Sequence, residues 1–133
     1  MKRILRVLVI EDDALIASLL AETVEALGHT VCAIAMTENE AVSYALEHQP
    51  DLLIVDAGLI DGNGISAVET ILQTQLVPYL FVTGNGREVK ALDPTAVILE
   101  KPFFVPELVH AIERALFVSV HAGSTPPSSA QAG

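Results

Sequence analysis

A short apolar run that ends in a carboxylate constrains the fold of this chain more than any other feature. The run is Leu52-Leu53-Ile54-Val55-Asp56, preceded by Pro50-Asp51 and followed by Ala57-Gly58. Consecutive apolar residues of this kind are typical of a strand that is buried on both faces inside a parallel sheet. The carboxyl end of such a strand is where open α/β sheets bind their ligands. Asp56 is therefore the first candidate for a functional residue.

Apolar patterns along the rest of the chain predict strands that alternate with helices. Helical spacing of apolar residues after Asp13, a capping-box pattern at Thr37–Glu40 and a proline at position 106 predict three of the helices. A helix over 65–75 is also predicted, whereas Asp93-Pro94 leaves room for only about two turns after Arg87. Besides 52–56, the predicted strands are 6–10, 30–35, 77–82 and 96–99.

This alternation predicts an α/β protein with a five-stranded parallel sheet and helices on both faces, a three-layer arrangement. Right-handed crossovers with one reversal of winding favour the flavodoxin-like strand order 2-1-3-4-5, with a fourth helix that is short or absent. The predicted domain covers residues 1–121. Residues 122–133 have no periodicity and are predicted to form a disordered tail.

Composition excludes several classes of function. Seven basic and seventeen acidic residues give a formal charge of −10, which argues against nucleic-acid binding. The single cysteine, Cys32, has no partner within the chain for a disulfide. The basic and apolar start of the chain is interrupted too early by Glu11-Asp12-Asp13 for a signal peptide, and no apolar run is long enough to span a membrane. We therefore expect a soluble, cytoplasmic protein.

Acidic residues follow two of the predicted strands. In the order 2-1-3-4-5, strands one and three are neighbours, so Glu11 and Asp12 are expected to lie beside Asp56. Carboxylates packed together repel each other unless a cation is bound. Mg²⁺ fits this set because it prefers oxygen ligands and uses few carboxylates, and the carbonyl of Gly58 is a candidate for a further ligand.

Groups that suit a phosphoryl group follow the other strands. Strand four places Thr83 at the same edge of the sheet, and strand five places Lys101 there. The Thr83 hydroxyl and the backbone amides of Ala57 and Gly84 can donate to phosphoryl oxygens, while the Lys101 ammonium offsets negative charge. Asp56 would then act as a nucleophile that becomes an aspartyl phosphate.

The set Glu11-Asp12, Asp56, Thr83 and Lys101-Pro102-Phe103 resembles the receiver domain (CheY-like) of two-component response regulators, over residues 4–120. The resemblance implies a regulator rather than an enzyme. Asp56 would accept a phosphoryl group from a histidine kinase or phosphotransfer protein, and phosphorylation would change affinity for a protein partner. It further implies that Asp12 binds Mg²⁺, that Glu11 assists, that Thr83 and Lys101 contact the phosphoryl group, and that the Lys101–Pro102 bond is cis.

The chain departs from the common receiver pattern at two positions. Ile98 stands where most receivers have an aromatic switch residue, and Ile60 stands where proline is common. Phe81-Val82-Thr83-Gly84 resembles the Phe-x-Thr-Gly signature of an atypical receiver subfamily that includes stand-alone regulators. We therefore expect residues 84–95 to carry the conformational change that follows phosphorylation.

Several alternatives remain open. A degenerate receiver would bind partners without phosphorylation. A Mg²⁺-dependent aspartyl phosphohydrolase would need a second acid two residues after Asp56, where this chain has Gly58. A nucleotide or flavin binder would need a glycine-rich turn where Glu11-Asp12 stands. One of the adjacent aromatics Phe103 and Phe104 is a candidate for contact with a partner or with a second copy in a homodimer.

Overall fold

A five-stranded parallel sheet forms the centre of the molecule, and its strand order is β2-β1-β3-β4-β5. The structure is a computed structural model that describes residues 3–124, with side chains described as far as residue 119. The order is the predicted one, so the flavodoxin-like α/β fold is confirmed. The strands are β1 (Arg6–Ile10), β2 (Thr30–Ala35), β3 (Leu52–Asp56), β4 (Tyr79–Thr83) and β5 (Val97–Glu100).

Helices cover both faces of the sheet, and the central strand β3 is apolar from Leu52 to Val55. Leu52, Leu53, Ile54 and Val55 of β3 are all completely buried. Alternate residues belong to different cores, since successive side chains of a strand point to opposite faces. Leu53 and Val55 pack in one core with α2 and α3, while Leu52 and Ile54 pack in the other with α1 and α5. The predicted burial on both faces is confirmed.

Polar side chains fix the start of the first three helices. Asp13 accepts hydrogen bonds from the amides of Leu15 and Ile16, and Thr37 accepts from the Glu40 amide while the Glu40 carboxylate accepts from Met36. Asn63 caps the third helix. The helices are α1 (Ala14–Ala26), α2 (Glu38–His48), α3 (Gly64–Leu72), α4 (Gly86–Leu92) and α5 (Val105–Ser124).

The helices agree with the sequence-based expectation at one place and differ from it at two. α4 is present but has only seven residues, in agreement with the predicted short fourth helix. α3 ends at Leu72, before the predicted end at residue 75, and α5 continues to Ser124, past the predicted domain boundary at residue 121. The rest of the predicted tail, residues 125–133, lies outside the described residues.

The apolar residues of α1 cover more than one face of the helix. Ala17, Leu20 and Val24 are buried, whereas Leu15 is 80% exposed and Leu19 is 59% exposed. The turn of about 100° per residue places Leu15 and Leu19 nearly opposite Ala17. Small Ala17 therefore takes the position against the sheet, and two leucines are left at the surface.

The outer strand β2 is irregular where it pairs with β1. The register shifts between Val7 and Leu8, because Val7 pairs with Val31 and Leu8 pairs with Ala33, so Cys32 is the extra residue of a bulge. The Cys32 thiol donates a hydrogen bond to the carbonyl of Val7, and burial raises the pKa of the thiol.

Within residues 3–124, no helix has the length and apolar character needed to cross a membrane.

Candidate functional site

Three carboxylates converge at the carboxyl edge of the sheet. β1 and β3 pair directly, with Ile10 opposite Val55, so the residues that follow Ile10 lie beside Asp56. Carboxylate oxygens of Glu11, Asp12 and Asp56 all lie within 4.8 Å of one another. The structure therefore brings together the three acidic side chains that the sequence singles out.

Glu11 is the most deeply buried of the three, with only 1% of its surface exposed. Its Oε2 atom accepts a hydrogen bond from the Asp13 amide at 3.1 Å. Its Oε1 atom is buried and has no hydrogen-bond partner among the described residues. Burial, together with hydrogen bonding to and charge repulsion from the nearby Asp56 carboxyl, raises the pKa of Glu11 to about 7. A buried carboxylate oxygen that accepts no hydrogen bond is the environment that a bound cation would stabilise.

Asp12 contacts the loop that follows β3. Its Oδ2 atom accepts a hydrogen bond from the backbone amide of Ile60 at 2.6 Å. Proline, which is common at this position in receivers, has no N–H group and could not make this bond. The departure at Ile60 therefore adds a direct contact between the acidic cluster and the β3–α3 loop, which we define as residues 57–63.

Asp56 lies between the acidic cluster and a lysine. The Lys101 ammonium is 3.8 Å from Asp56 Oδ2 and 3.6 Å from Glu11 Oε1. The other oxygen of Asp56, Oδ1, accepts a hydrogen bond from the Gly58 amide at 3.0 Å. The Asp56 side chain is 12% exposed and that of Lys101 is 28% exposed, so both can be reached from solvent. The Lys101–Pro102 peptide bond is cis, as predicted.

Thr83 reaches the same edge from β4. Asp56 pairs with Val82, and Thr83 pairs with Glu100, so Thr83 lies one residue beyond Asp56 along the sheet and Lys101 one residue beyond Thr83. The Thr83 hydroxyl oxygen accepts from the Asn85 amide at 3.0 Å, and its carbonyl accepts from the Lys101 amide at 2.9 Å. The hydroxyl proton is not used in that bond, so it can be donated to a ligand.

An open cleft of about 420 Å³ lies over these residues. Asp56, Thr83 and Lys101 form its base, and the backbones of Ala57, Gly58 and Gly84 contribute to its lining. All the residues that the sequence assigns to a phosphoryl group therefore share one cleft. Ile65, Val89 and Leu92 add an apolar side to it.

Close backbone packing fixes the loop beside Asp56. Gly64 starts α3, and a Cβ atom at this position would lie 2.1 Å from the carbonyl oxygen of Asp56. The Gly64 amide donates to the carbonyl of Ala57 at 3.1 Å. Only glycine allows the start of α3 to approach the end of β3 this closely.

Large apolar side chains in the segments that follow β1, β3 and β5 are exposed to solvent. Ile60 is 92% exposed, Leu15 is 80% exposed and Phe104 is 79% exposed. Phe103, by contrast, packs against the core beneath α5. The structure therefore distinguishes the two adjacent aromatics, because Phe103 points inward and Phe104 points outward.

Ile98, at the position of the aromatic switch, is half-buried in β5 and packs against the core that contains Phe81. Tyr79, at the start of β4, makes a polar contact with the end of α4. Its hydroxyl donates to Asp93 at 2.7 Å, and burial followed by the Asp93 contact raises the pKa of Tyr79. This contact joins the start of β4 to the end of α4.

Sequence reasoning missed the residues that shape the β3–α3 loop. Glu38 accepts a hydrogen bond from the Asn63 amide and another from the Ser66 hydroxyl, both at 2.8 Å. The glycine-rich composition of the loop indicated a turn, but no pattern in the sequence links that turn to α2. The contact forms because α2 and α3 are neighbours in the folded chain.

Comparison with known proteins agrees with this geometry. Residues 7–113 match the response regulator receiver domain family. The chain is 38% identical over 115 residues to the phyllosphere-induced regulator PhyR of Methylorubrum extorquens, which covers 84% of this chain and 43% of that protein. The chain belongs to the response regulator receiver domain family.

Two solved structures are similar in fold and sequence. The receiver domain of PhyR from Erythrobacter litoralis, solved by solution NMR, is 34% identical with a TM-score of 0.78 and covers 86% of this chain and 91% of that one. The anti-anti-sigma factor PhyR from Bartonella quintana is 32% identical with a TM-score of 0.81, covering 92% and 51%. The chain thus spans about half the length of the full-length relatives described here.

Proposed function

We propose that Asp56 is the phosphoacceptor of a Mg²⁺-dependent signalling module. The observation that carries this proposal is an open cleft at the carboxyl edge of the sheet that Asp56, Thr83 and Lys101 line, with the carboxylates of Glu11 and Asp12 beside Asp56. One Asp56 oxygen would attack the phosphorus of the donor. A phosphorus–oxygen bond would form as the bond to the donor breaks, and the donor would leave with its bonding electron pair.

The acidic residues fit a magnesium ion. The buried Oε1 atom of Glu11 accepts no hydrogen bond from the described residues and lies 3.6 Å from the Lys101 ammonium, and the pKa of the carboxyl is raised; both observations support a bound cation there. Asp12 and Asp56 would bind the ion, Glu11 would assist, and the Gly58 carbonyl would supply a further oxygen. A bound Mg²⁺ would neutralise charge on the phosphoryl oxygens and on the cluster.

The remaining residues of the cleft would hold the phosphoryl group. Lys101 already lies beside Asp56 and would form an ion pair with a phosphoryl oxygen. Thr83 would donate its free hydroxyl proton, and the amides of Ala57 and Gly84 would donate as well. These contacts favour the charged product, so they stabilise the aspartyl phosphate rather than the free carboxylate.

A small phosphodonor tests the proposal directly. We expect incubation with acetyl phosphate and Mg²⁺ to give an acid-stable, base-labile adduct, measured by intact mass before and after mild base. Asp56→Asn keeps the size of the side chain but lacks the nucleophile, so the adduct should disappear, as it should with chelator. A wild-type protein that forms no adduct would favour the alternative of a phosphorylation-independent receiver.

The output of the module is proposed to be a change in affinity for a protein partner. Phe81-Val82-Thr83-Gly84 supports membership of the atypical Phe-x-Thr-Gly subfamily. The related protein from Bartonella quintana is described as an anti-anti-sigma factor, a role that acts through protein binding. A histidine kinase or phosphotransfer protein is the proposed donor, and the exposed side chains of Ile60 and Phe104, in the segments after β3 and β5, are suited to contact it.

A further inference from the structure

We propose that Glu38 is a positioning residue that sets the Mg²⁺ affinity of the site by holding the β3–α3 loop in place. The inference rests on the proposed magnesium site. Glu38 is the first residue of α2 and does not itself reach the acidic cluster. Its effect would pass through the loop that carries Gly58 and Ile60.

Glu38 contacts the end of the loop with both carboxylate oxygens. Oε1 accepts from the Asn63 amide and Oε2 accepts from the Ser66 hydroxyl, each at 2.8 Å. The backbone of Glu38 adds a third bond, because its amide donates to the carbonyl of Asp61 at 3.2 Å. A single half-buried side chain and its own amide therefore join α2 to the loop and to the first turn of α3.

The loop is shaped to accept this contact. Gly62 has a φ of +97°, and a Cβ atom there would lie 2.4 Å from the Cβ of Glu38. Any other residue at position 62 would both strain the backbone and push Glu38 away. The two residues are complementary, since the loop passes directly over the Glu38 side chain.

At its other end the loop contacts the acidic cluster. The Ile60 amide donates to Asp12 and the Gly58 amide donates to Asp56. The loop is therefore held between the proposed metal ligands on one side and Glu38 on the other. Loss of the Glu38 contact would leave the Gly58 carbonyl less well placed toward the ion, because the carboxylates alone would have to order the loop. Residues that hydrogen-bond directly to metal ligands typically change metal affinity by roughly 10- to 100-fold, and we expect Glu38, which acts one contact further away, to lie at the lower end of this range.

The experiment compares Mg²⁺ binding among variants, measured by calorimetric titration with Mg²⁺ alone. Glu38→Ala removes the side-chain contacts, and we expect about tenfold weaker binding. Glu38→Gln can still accept from Asn63 and can donate to Ser66, so its affinity should stay close to that of wild type. Ser66→Ala removes one hydrogen bond, which corresponds to about threefold weaker binding.

Glu40→Ala is the matched control. Glu40 is two residues along the same helix, and its carboxylate accepts from Met36 rather than from the loop. This variant should lower the melting temperature without changing Mg²⁺ affinity. Amide exchange gives a second readout, because the Asn63 amide should exchange faster in Glu38→Ala and at the wild-type rate in Glu40→Ala.

The outcomes separate this inference from the proposed function. Wild-type protein that binds Mg²⁺, together with a Glu38→Ala variant of equal affinity, would overturn the positioning role and leave the phosphoacceptor proposal standing. Equal losses in Glu38→Ala and Glu40→Ala would also overturn it. If Glu38→Ala does not fold, an unchanged Mg²⁺ affinity in Ser66→Ala would likewise overturn the positioning role. Wild-type protein that binds no Mg²⁺ would overturn the magnesium site itself, and the inference with it.

Discussion

Among single residues, Glu11 is a buried carboxyl whose pKa links stability to pH. Burial, with a further contribution from Asp56, raises its pKa from 4.5 to about 7. Between these two values the folded protein binds more protons than the unfolded chain, whose Glu11 titrates near the ordinary value. The contribution of Glu11 to the stability of the metal-free protein should therefore be greatest below pH 4.5 and should fall as the pH rises toward 7.

Glu11→Gln tests this effect. The pKa shift of Glu11 corresponds to a loss of about 3 kcal/mol in the free energy of unfolding as the pH rises from below 4.5 to above 7. Glutamine does not titrate, so the variant should lose less stability than wild type when urea unfolding is compared at pH 5 and pH 8 with chelator present. Mg²⁺ should reduce the wild-type slope because it stabilises the ionised carboxylate. Parallel pH profiles for the two proteins would contradict the expected burial of an uncompensated charge.

Two glycines of the same region offer a matched pair of substitutions. Gly64→Ala places a methyl group against the carbonyl of Asp56, and we expect a loss of about 3 kcal/mol in the free energy of unfolding. Gly58→Ala meets no atom within 4 Å and has no positive φ, so its effect should stay within about 0.5 kcal/mol. Urea unfolding of both variants measures the difference. Equal losses would show that the close approach of α3 to β3 is not required.

The residues of the candidate site could be predicted from the sequence because each follows a strand. Asp56 and Thr83 end strands, Glu11 and Lys101 come directly after strands, and parallel strands bring these ends to one edge. The roles of Glu38 and of the Ile60 amide could not be predicted. They depend on the path of a loop whose contacts are 25 and 48 residues away in the chain, and no local pattern encodes those contacts.

Among the elements, α4 and the turns at its ends carry the proposed conformational change. Side chains hold this segment at several points. The Gly86 amide donates to Glu100, and Lys90 donates to the carbonyls of Pro94 and Ala96. The segment also follows Thr83 directly, so a movement of Thr83 toward a phosphoryl group would pull on the start of α4.

Hydrogen exchange over residues 84–95 checks this expectation. We expect amides of this segment to change their exchange rates when the protein is phosphorylated with acetyl phosphate, while amides of α2 residues 41–48 stay unchanged and serve as the internal control. The physical reason is that Thr83 and Lys101 flank the segment and both face the cleft. Identical exchange over 84–95 in both states would exclude this route for the signal.

The ends of the helices were harder to predict than their existence. After Pro106 in its first turn, α5 continues to Ser124 with no proline before Pro126, and the apolar residues beyond Phe117 did not reveal where it stops. α3 ends at Leu72, and beyond it the side chain of Gln75 donates to the carbonyl of Ala45 in α2. That bond forms between elements 30 residues apart, so the helical pattern of α3 itself contained no sign of it.

For the whole molecule, a formal charge of −10 makes cation binding a source of stability. Like charges repel each other in the compact state, and the acidic cluster concentrates this repulsion at one edge of the sheet. A ligand that binds only the folded protein stabilises it by mass action.

Mg²⁺ should therefore raise the melting temperature. At a Mg²⁺ concentration tenfold above the dissociation constant, the gain is about 1.4 kcal/mol, or roughly 5 °C for a chain of this size. Sodium chloride at equal ionic strength controls for simple screening of the net charge. Asp12→Asn should remove the increase that is specific to Mg²⁺, as measured by thermal unfolding followed by circular dichroism. An equal increase in that variant would place the bound ion elsewhere.

The backbone amide of Ile60 donates a hydrogen bond to Asp12 of the acidic cluster, whereas the Ile60 side chain faces solvent. This separation of roles has an evolutionary consequence. Every amino acid except proline can supply the N–H group that Asp12 accepts. The side chain is 92% exposed and takes no part in that hydrogen bond. Substitutions at position 60 can therefore alter which partners recognise the molecule while the acidic site keeps its contact, so new signalling pairs can arise by gene duplication and drift without loss of the underlying chemistry.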